Sequence, residues 1–302
     1  MFDGHPRLKI AANGTVGFLT VAMFRVLRLF NIDWLSNAGG WLLRRIGPLR
    51  REHEIGRANL TAAFPEKSAE EIEQILLGVW DNLGRVGAEF AQLDRLWDHD
   101  PAHPERGRML PSDDAYRRMI EMRDDGKPAL VFSAHLANWE IASVAAKFYG
   151  VDSAVVFRPP NIAAIADTVI RLRSDIMGTL IRTGLDAPLR AAEALACGSH
   201  VAMLVDQYST RGVDVTFFGR TARANPLIAR LAEHVDCPIY GVHVVRHGGN
   251  RFRLHLTEPM SAIRDAQGHV DVQATMQMIT TVIEGWVREH PEQWLWLHRR
   301  WR

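Results

Sequence analysis

The residues best suited to chemistry are a histidine and a glutamate five positions apart, His135 and Glu140, in the segment HLANWE. On one regular helix this separation turns the two side chains about 140° apart, so a continuous helix cannot pair them. A histidine in the turn after a strand can meet a glutamate in the first turn of the next helix. Such a carboxylate orients the imidazole as a general base that activates a hydroxyl. The spacing alone is a weak signal and is more typical of a structural histidine held by hydrogen bonds.

Other catalytic arrangements are missing from the sequence. It contains neither the G-x-S-x-G nucleophile elbow nor the HExxH zinc motif. The two cysteines, Cys197 and Cys237, have no spacing that suits zinc and predict a reducing compartment. We therefore expect no metal, no cofactor and no covalent intermediate on the enzyme.

The elements around the motif alternate between strand and helix. This order predicts an α/β fold with a mostly parallel sheet flanked by helices. A helix with a serine cap is expected over 68–90, and a hairpin turn over 247–250. The predicted strands are 129–133, 154–157, 201–205, 213–218, 239–245 and 252–256, and the helices between them are 138–148, 161–177, 187–197 and 224–235.

The ends of two predicted strands carry polar residues. His135 follows the first strand and should lie in the crevice at the carboxyl edge of the sheet, where open α/β folds bind ligands. Asp206 and Gln207 follow the strand over 201–205. They are candidates for orienting site groups or binding a substrate, and hydrogen bonding at a strand end is the structural alternative.

The N-terminal fifty residues combine apolar and basic side chains. No residue from 10 to 24 is charged, but the run is shorter than the roughly 20 residues that span a bilayer. Residues 1–60 carry nine Lys or Arg against four Asp or Glu, while the whole chain has a net charge of +1. We predict a membrane-associating amphipathic segment over 1–50, without a cleaved signal peptide, and a catalytic domain over 51–302. A packed amphipathic helix with solvated arginines is the alternative, and nucleic acid is not an expected partner.

Seven sequence blocks occur in the order typical of one enzyme family. They are NLTAAFPEKSAEEIEQI at 59–75, HLANWE at 135–140, VFRPPN at 156–161, IRLRSDIMGTLI at 170–181, VAMLVDQ at 201–207, VTFFGR at 215–220 and PEQWLWLHRRW at 291–301. With these blocks the chain resembles the bacterial lipid A biosynthesis acyltransferases, a branch of the glycerolipid acyltransferases that share an H-x4-D/E motif.

The resemblance implies transfer of a fatty acyl group from acyl carrier protein to a hydroxyl of a lipid A precursor or related glycolipid. It places the enzyme at the cytoplasmic face of the inner membrane. It assigns catalysis to His135 and Glu140, with Glu140 holding the imidazole, and it places an arginine beside the site at Arg173. We further expect Arg158, Asn161, Asp206 and Gln207 to bind substrate. A phospholipid or lysophospholipid acyltransferase, and a non-catalytic lipid-binding protein of the membrane surface, are the alternatives.

Each of two aromatic segments of the sequence is compatible with either a binding role or a packing role. Phe217 and Phe218 could line an acyl groove or close a turn over the core. In the tail, tryptophans alternate with the basic residues Arg299, Arg300 and Arg302. This pattern suits a membrane interface or an acidic carrier protein, and a packed segment with a basic edge is the plainer alternative.

Overall fold

The computed structural model describes residues 19–98, 103, 106–110, 112–159 and 163–301. Residues 19–27 are helical. The helices that follow are α1 (Ile32–Ile46), α2 (Arg51–Ala63), α3 (Ala69–Glu89), α4 (Leu93–Leu96), α5 (Asp113–Asp124), α6 (Ile141–Phe148), α7 (Ala163–Ser174), α8 (Ala187–Ala196), α9 (Leu227–His234) and α10 (Val272–Glu289). The strands are β1 (Leu130–Ser133), β2 (Ser153–Phe157), β3 (Thr179–Arg182), β4 (His200–Leu204), β5 (Val213–Phe217), β6 (Arg220–Ala224), β7 (Ile239–Arg246) and β8 (Phe252–Leu256).

Six of these strands form one sheet in the order β3-β2-β4-β1-β7-β8. The first five are parallel, and β8 runs antiparallel to β7. Side chains of α8, α9 and α10 share a hydrophobic core with one face of the sheet, and those of α5 and α6 share a second core with the other face. The predicted mostly parallel sheet flanked by helices is confirmed, as is the hairpin before β8.

The strand prediction was incomplete at two places. It missed β3, a four-residue edge strand, and β6, whose sequence RTARA lacks the β-branched run that signals a strand. It also listed 213–218 with the main sheet, whereas β5 pairs only with β6 in a separate two-stranded sheet. The turn between these two strands uses Phe218 and Gly219 at positive φ.

The helix α1 packs closely on α3. A Cβ at Gly84 would lie 2.1 Å from the carbonyl oxygen of Gly39, so the two backbones approach as only glycine permits. The predicted cap of α3 is confirmed, because Ser68 and Glu71 form a capping box. Across the described residues, we find no helix that combines the length and the apolar character needed to cross a membrane.

Both aromatic segments belong to the core. Phe217 and Phe218 are buried, and Trp294 and Trp296 of the tail pack edge-on against them. Arg300 is buried as well, with its guanidinium over the Phe217 ring and a hydrogen bond to the carbonyl oxygen of Arg223. The expectation that Arg300 belongs to a basic docking edge is therefore wrong, because the aromatic cluster encloses its side chain.

Candidate active site

His135 lies just beyond β1, opposite Asp206, which lies just beyond β4. The register pairs Ser133 with Leu204, and two further residues along each strand bring His135 and Asp206 side by side at the carboxyl edge. The ring Nδ1 of His135 is 2.8 Å from Asp206 Oδ1, and the backbone N–H of His135 donates to Oδ2 at 2.9 Å. The carboxylate thus holds both the ring and the backbone of His135.

The Asp206 side chain is only 1% exposed. Burial by itself would raise the pKa of this carboxyl. The charge of the His135 ring and the hydrogen bonds that His135 donates outweigh burial and lower the pKa below its usual value. Trp294 Nε1 also donates to Oδ2 at 2.8 Å. Asp206 is therefore an ionised carboxylate that binds the Nδ1–H tautomer of His135 and leaves Nε2 as the unprotonated ring nitrogen.

Glu140 has a different partner from the one that the sequence predicts. It occupies the N-cap position of α6, next to the expected first turn, but its carboxylate forms a bidentate ion pair with Arg173 of α7. The expected bond from Glu140 to His135 is replaced by the bond from Asp206. The physical reason is the sheet order: β4 lies beside β1, so the carboxylate after β4 is nearer to the ring than the one at the helix start.

Trp139 links the His135–Asp206 pair to the Glu140–Arg173 ion pair. Its ring packs edge-on against His135 at a centroid distance of 5.0 Å, and its Nε1 donates to Glu140 Oε1 at 3.1 Å. Arg173 in turn lies over the rings of Phe90 and Phe157. One connected set of side chains therefore fixes the imidazole and the guanidinium relative to each other.

The C-terminal tail supports the turn that carries His135. The N–H of Leu295 donates to the carbonyl oxygen of His135, and the N–H of Ala137 donates to that of Gln293. Ala137 has a φ of 47°, an unfavourable conformation for a residue with a Cβ. The closing sequence block thus positions the base, a role that its tryptophans and arginines did not suggest.

A buried ion pair also supports the turn that carries His135. Asn138 Nδ2 donates to Glu89 Oε2 at 2.8 Å, and Glu89, which is fully buried, is paired with Arg246 of β7. The Arg246 side chain is 7% exposed. Because two buried charges satisfy each other here, loss of either one leaves the other unpaired under the site.

A cavity of about 1050 Å³ opens beside His135 and extends along both faces of the sheet. We call the part between the sheet and α6 the inner lobe; Met122, Val131, Ala142, Ala146, Val155 and Ala202 line it. We call the part beside α9 the outer lobe; Gln207, Ser209, Arg211, Asn225, Arg230 and His234 line it. Glu140, Arg158 and Arg173 also face this cavity. The inner lobe is mainly apolar, whereas the outer lobe combines these polar and basic side chains with apolar ones such as Leu189, Leu227 and Leu231.

The charges around the cavity are unbalanced. Within the described chain, four arginines and a single carboxylate, Glu140, line it. Glu140 is paired with Arg173, which leaves the exposed Arg158, Arg211 and Arg230 to attract an anionic ligand. No pattern in the sequence marked Arg211 or Arg230 as site residues.

The remaining predicted site residues fall in different places. Gln207 Nε2 lies 3.3 Å from His135 Nε2. Arg158 is exposed at the cavity. Asn161 and Arg302 lie outside the described residues, and Arg299 is exposed in the tail. Asp206 was expected to orient site groups or bind substrate, and the structure places it as the partner of the base.

Known proteins resemble this chain along most of its length. The sequence model of the family described as bacterial lipid A biosynthesis acyltransferase matches residues 2–302. The lipid A biosynthesis palmitoleoyltransferase of Escherichia coli (strain K12) is 24% identical over 266 residues, which cover 84% of this chain and 80% of the relative. The lipid A biosynthesis acyltransferase of Shigella flexneri is similar to the same extent.

Proposed function

The chain belongs to the bacterial lipid A biosynthesis acyltransferase family, and from this membership and the site geometry we propose that it transfers a fatty acyl group from acyl carrier protein to a hydroxyl of a lipid A precursor or related membrane glycolipid. One observation carries the proposal: the cavity joins the His135 base to an apolar lobe and to Arg158, Arg211 and Arg230, which form no ion pair with any described residue. An acyl chain fits the inner lobe. Phosphate groups, which lipid A precursors and the phosphopantetheine arm of the carrier both bear, suit Arg158, Arg211 and Arg230.

In the proposed reaction, His135 Nε2 accepts the proton of the acceptor hydroxyl as its oxygen attacks the thioester carbonyl. The tetrahedral intermediate then collapses, the carbon–sulfur bond breaks, and the imidazolium returns the proton to the leaving thiolate. The products are the ester and the free thiol, so no acyl-enzyme is formed. Asp206 keeps the proton on Nδ1 and stabilises the imidazolium while it exists.

Arg173 and Glu140 have a positioning and binding role in this proposal. Glu140 engages the Nε–H and one Nη2–H of Arg173. The guanidinium has five N–H donors, so three remain for a substrate phosphate or the oxyanion of the intermediate. Glu140 thereby orients the arginine while Asp206 orients the base.

The proposed membrane contact surface lies on the N-terminal segment. Ten of the sixteen exposed large apolar side chains among the described residues lie between residues 19 and 49, which marks this segment as unusually apolar for a surface. Trp34 and Trp41 of α1 are each more than half exposed, and Arg45 stacks on Trp41. Apolar side chains beside exposed arginines suit the headgroup region of an anionic inner membrane.

Vesicle binding tests this membrane surface. Replacing Trp34 and Trp41 together by serine should leave the fold intact, because both side chains are more than half exposed. The change should markedly reduce sedimentation with anionic vesicles. Replacing the exposed Leu185 by serine is the matched control, since it removes an apolar side chain elsewhere on the surface. Equal sedimentation of all three proteins would contradict a membrane role for α1.

Mass spectrometry of cellular lipids tests the proposed reaction. Cells that lack this protein should accumulate an under-acylated lipid A species, and the parent chain should restore the missing acyl group. The His135→Ala variant should fail to restore it at equal protein level. Restoration by that variant would refute the mechanism, and a change confined to phospholipids would instead assign the acceptor to the lysophospholipid class.

A further inference from the structure

The deep end of the inner lobe contains two polar side chains with unused hydrogen-bonding atoms. His200 begins β4 and Ser153 begins β2, and the two residues are paired in the sheet register. They are 5% and 4% exposed, and both line the cavity. Within the described part of the chain, His200 Nδ1 and Ser153 Oγ are buried without a hydrogen-bond partner. Other buried side chains of the described chain also have atoms without a partner, but His200 and Ser153 are the two of them that line the cavity. Because buried polar atoms are usually paired, two such neighbours at one cavity point to a ligand group.

The hydrogen bond on the other side of the ring defines what His200 offers. Its Nε2 is 3.1 Å from the carbonyl oxygen of Met122 and therefore carries the proton. Burial lowers the pKa of His200, so the ring is neutral at pH 7. Nδ1 is then an acceptor with a free lone pair, whereas the Ser153 hydroxyl can donate. A ligand hydroxyl that donates to Nδ1 and accepts from Ser153 would satisfy both atoms.

The position of this pair sets the distance from the reacting centre. His200 lies at the amino end of β4 and Leu204 at its carboxyl end, near His135. Four residues of strand span roughly 13 Å. An extended alkyl chain advances about 1.3 Å per carbon, as standard bond lengths and angles dictate, so roughly ten carbons cover the strand and a few more cover the turn to His135. Between the two ends the lobe is lined by Val131, Val155 and Ala202.

We propose that His200 and Ser153 form a seat for a hydroxyl group near the far end of the acyl chain, so that the preferred donor carries a chain hydroxylated close to its terminus. This inference rests on the proposed function only in assigning the inner lobe to the acyl chain. A saturated chain of the same length leaves both polar atoms unpaired or bound to trapped water. The seat therefore selects for the hydroxylated chain.

Binding of free fatty acids to the full chain in detergent tests the seat without any transfer reaction. The two probes are a saturated acid of about twelve carbons, matched to the lobe length, and its terminally hydroxylated analogue. The parent should bind the hydroxylated acid about tenfold more tightly, the scale expected for pairing buried polar atoms. His200→Leu should reverse this order, and Ser153→Ala should reduce the preference. Ser143→Ala, a serine of the same cavity on α6, is the matched control and should keep the parental preference.

The outcomes separate the seat from the proposed function. Equal or tighter binding of the saturated acid by the parent overturns the seat, and so does an unchanged preference in a His200→Leu protein with a parental melting temperature. A parent that binds neither acid also overturns it. Failure of the proposed function would be seen in a different experiment, in which the His135→Ala variant still transfers the acyl group.

Discussion

Asparagine at position 206 should disable the base without removing any contact atom. Two N–H groups, the His135 amide and Trp294 Nε1, point at Oδ2, and the His135 ring points at Oδ1. An asparagine satisfies the two N–H groups by placing its oxygen at the Oδ2 position. Its NH₂ then faces Nδ1, so the ring must accept there and carry its proton on Nε2. The nitrogen that should receive the proton of the acceptor hydroxyl is then already protonated.

The expected size of this effect follows from the loss of general-base catalysis. Asp206→Asn should lower kcat/KM by about 10²–10⁴, which is about 3–5 kcal/mol of transition-state stabilisation. Because Asp206 acts only through His135, the double variant with His135→Ala should be little worse than His135→Ala alone. Independent contributions would instead multiply.

The assay measures acyl transfer and unfolding on the same proteins. Asp214→Asn, the same change at an exposed strand residue, is the matched control and should retain parental transfer. Near-parental transfer by a folded Asp206→Asn protein would refute the assignment of Asp206 as the partner of the base. Multiplicative losses in the double variant would refute it independently.

The same carboxylate predicts a pH dependence of stability. The pKa of Asp206 is lower in the folded protein than its unfolded value of about 3.9. The ionised carboxylate therefore contributes stability that is fully present above the unfolded pKa and is lost as the pH falls towards the folded value. Denaturant unfolding should show Asp206→Asn less stable than the parent from pH 5 to 8, with the difference narrowing below about pH 4. A difference that stays constant down to pH 3 would contradict this linkage.

Three further predictions concern the charged groups around the site. Glu140→Gln should weaken substrate binding through Arg173 and raise KM more than it lowers kcat; a loss confined to kcat would assign Glu140 to the chemical step. Replacing both Arg211 and Arg230 by glutamate should raise the KM for a phosphate-bearing substrate and make that KM less dependent on salt. Arg299→Glu in the tail is the control and should change neither. Measuring the KM of donor and acceptor separately shows which substrate's phosphate is bound. Arg246→Leu should destabilise the fold by about 3–5 kcal/mol because it strands a buried carboxylate, and an unchanged denaturation midpoint would refute that reasoning.

The local elements of this protein follow from the sequence by itself. Apolar runs bounded by glycine, proline and polar residues mark the central strands, and helical periodicity marks the helices between them. The position of His135 also follows, because a strand that precedes a helix must end in a turn at the carboxyl edge. Such features depend on neighbours within a few residues, which the sequence contains directly. Short or polar strands such as β3 and β6 carry too weak a local pattern to be found in this way.

The partner of the base is decided by the tertiary structure. His135 and Asp206 are separated by 71 positions, and they meet only because β4 lies directly beside β1. Both were recognisable as residues that follow strands, so the strand order was the missing information. The sequence motif suggested Glu140 instead because proximity along the chain favours it.

The contacts of the C-terminal tail likewise could not be predicted from its sequence. Its alternating tryptophans and arginines have the composition of an interface, yet Trp294 and Arg300 are buried and the tail backbone holds the turn of His135. Burial of these side chains is possible because Phe217, which lies far away in sequence, supplies an aromatic surface that both of them contact. Sequence composition determines what a segment can contact. The packing of distant elements against it decides which of those contacts form.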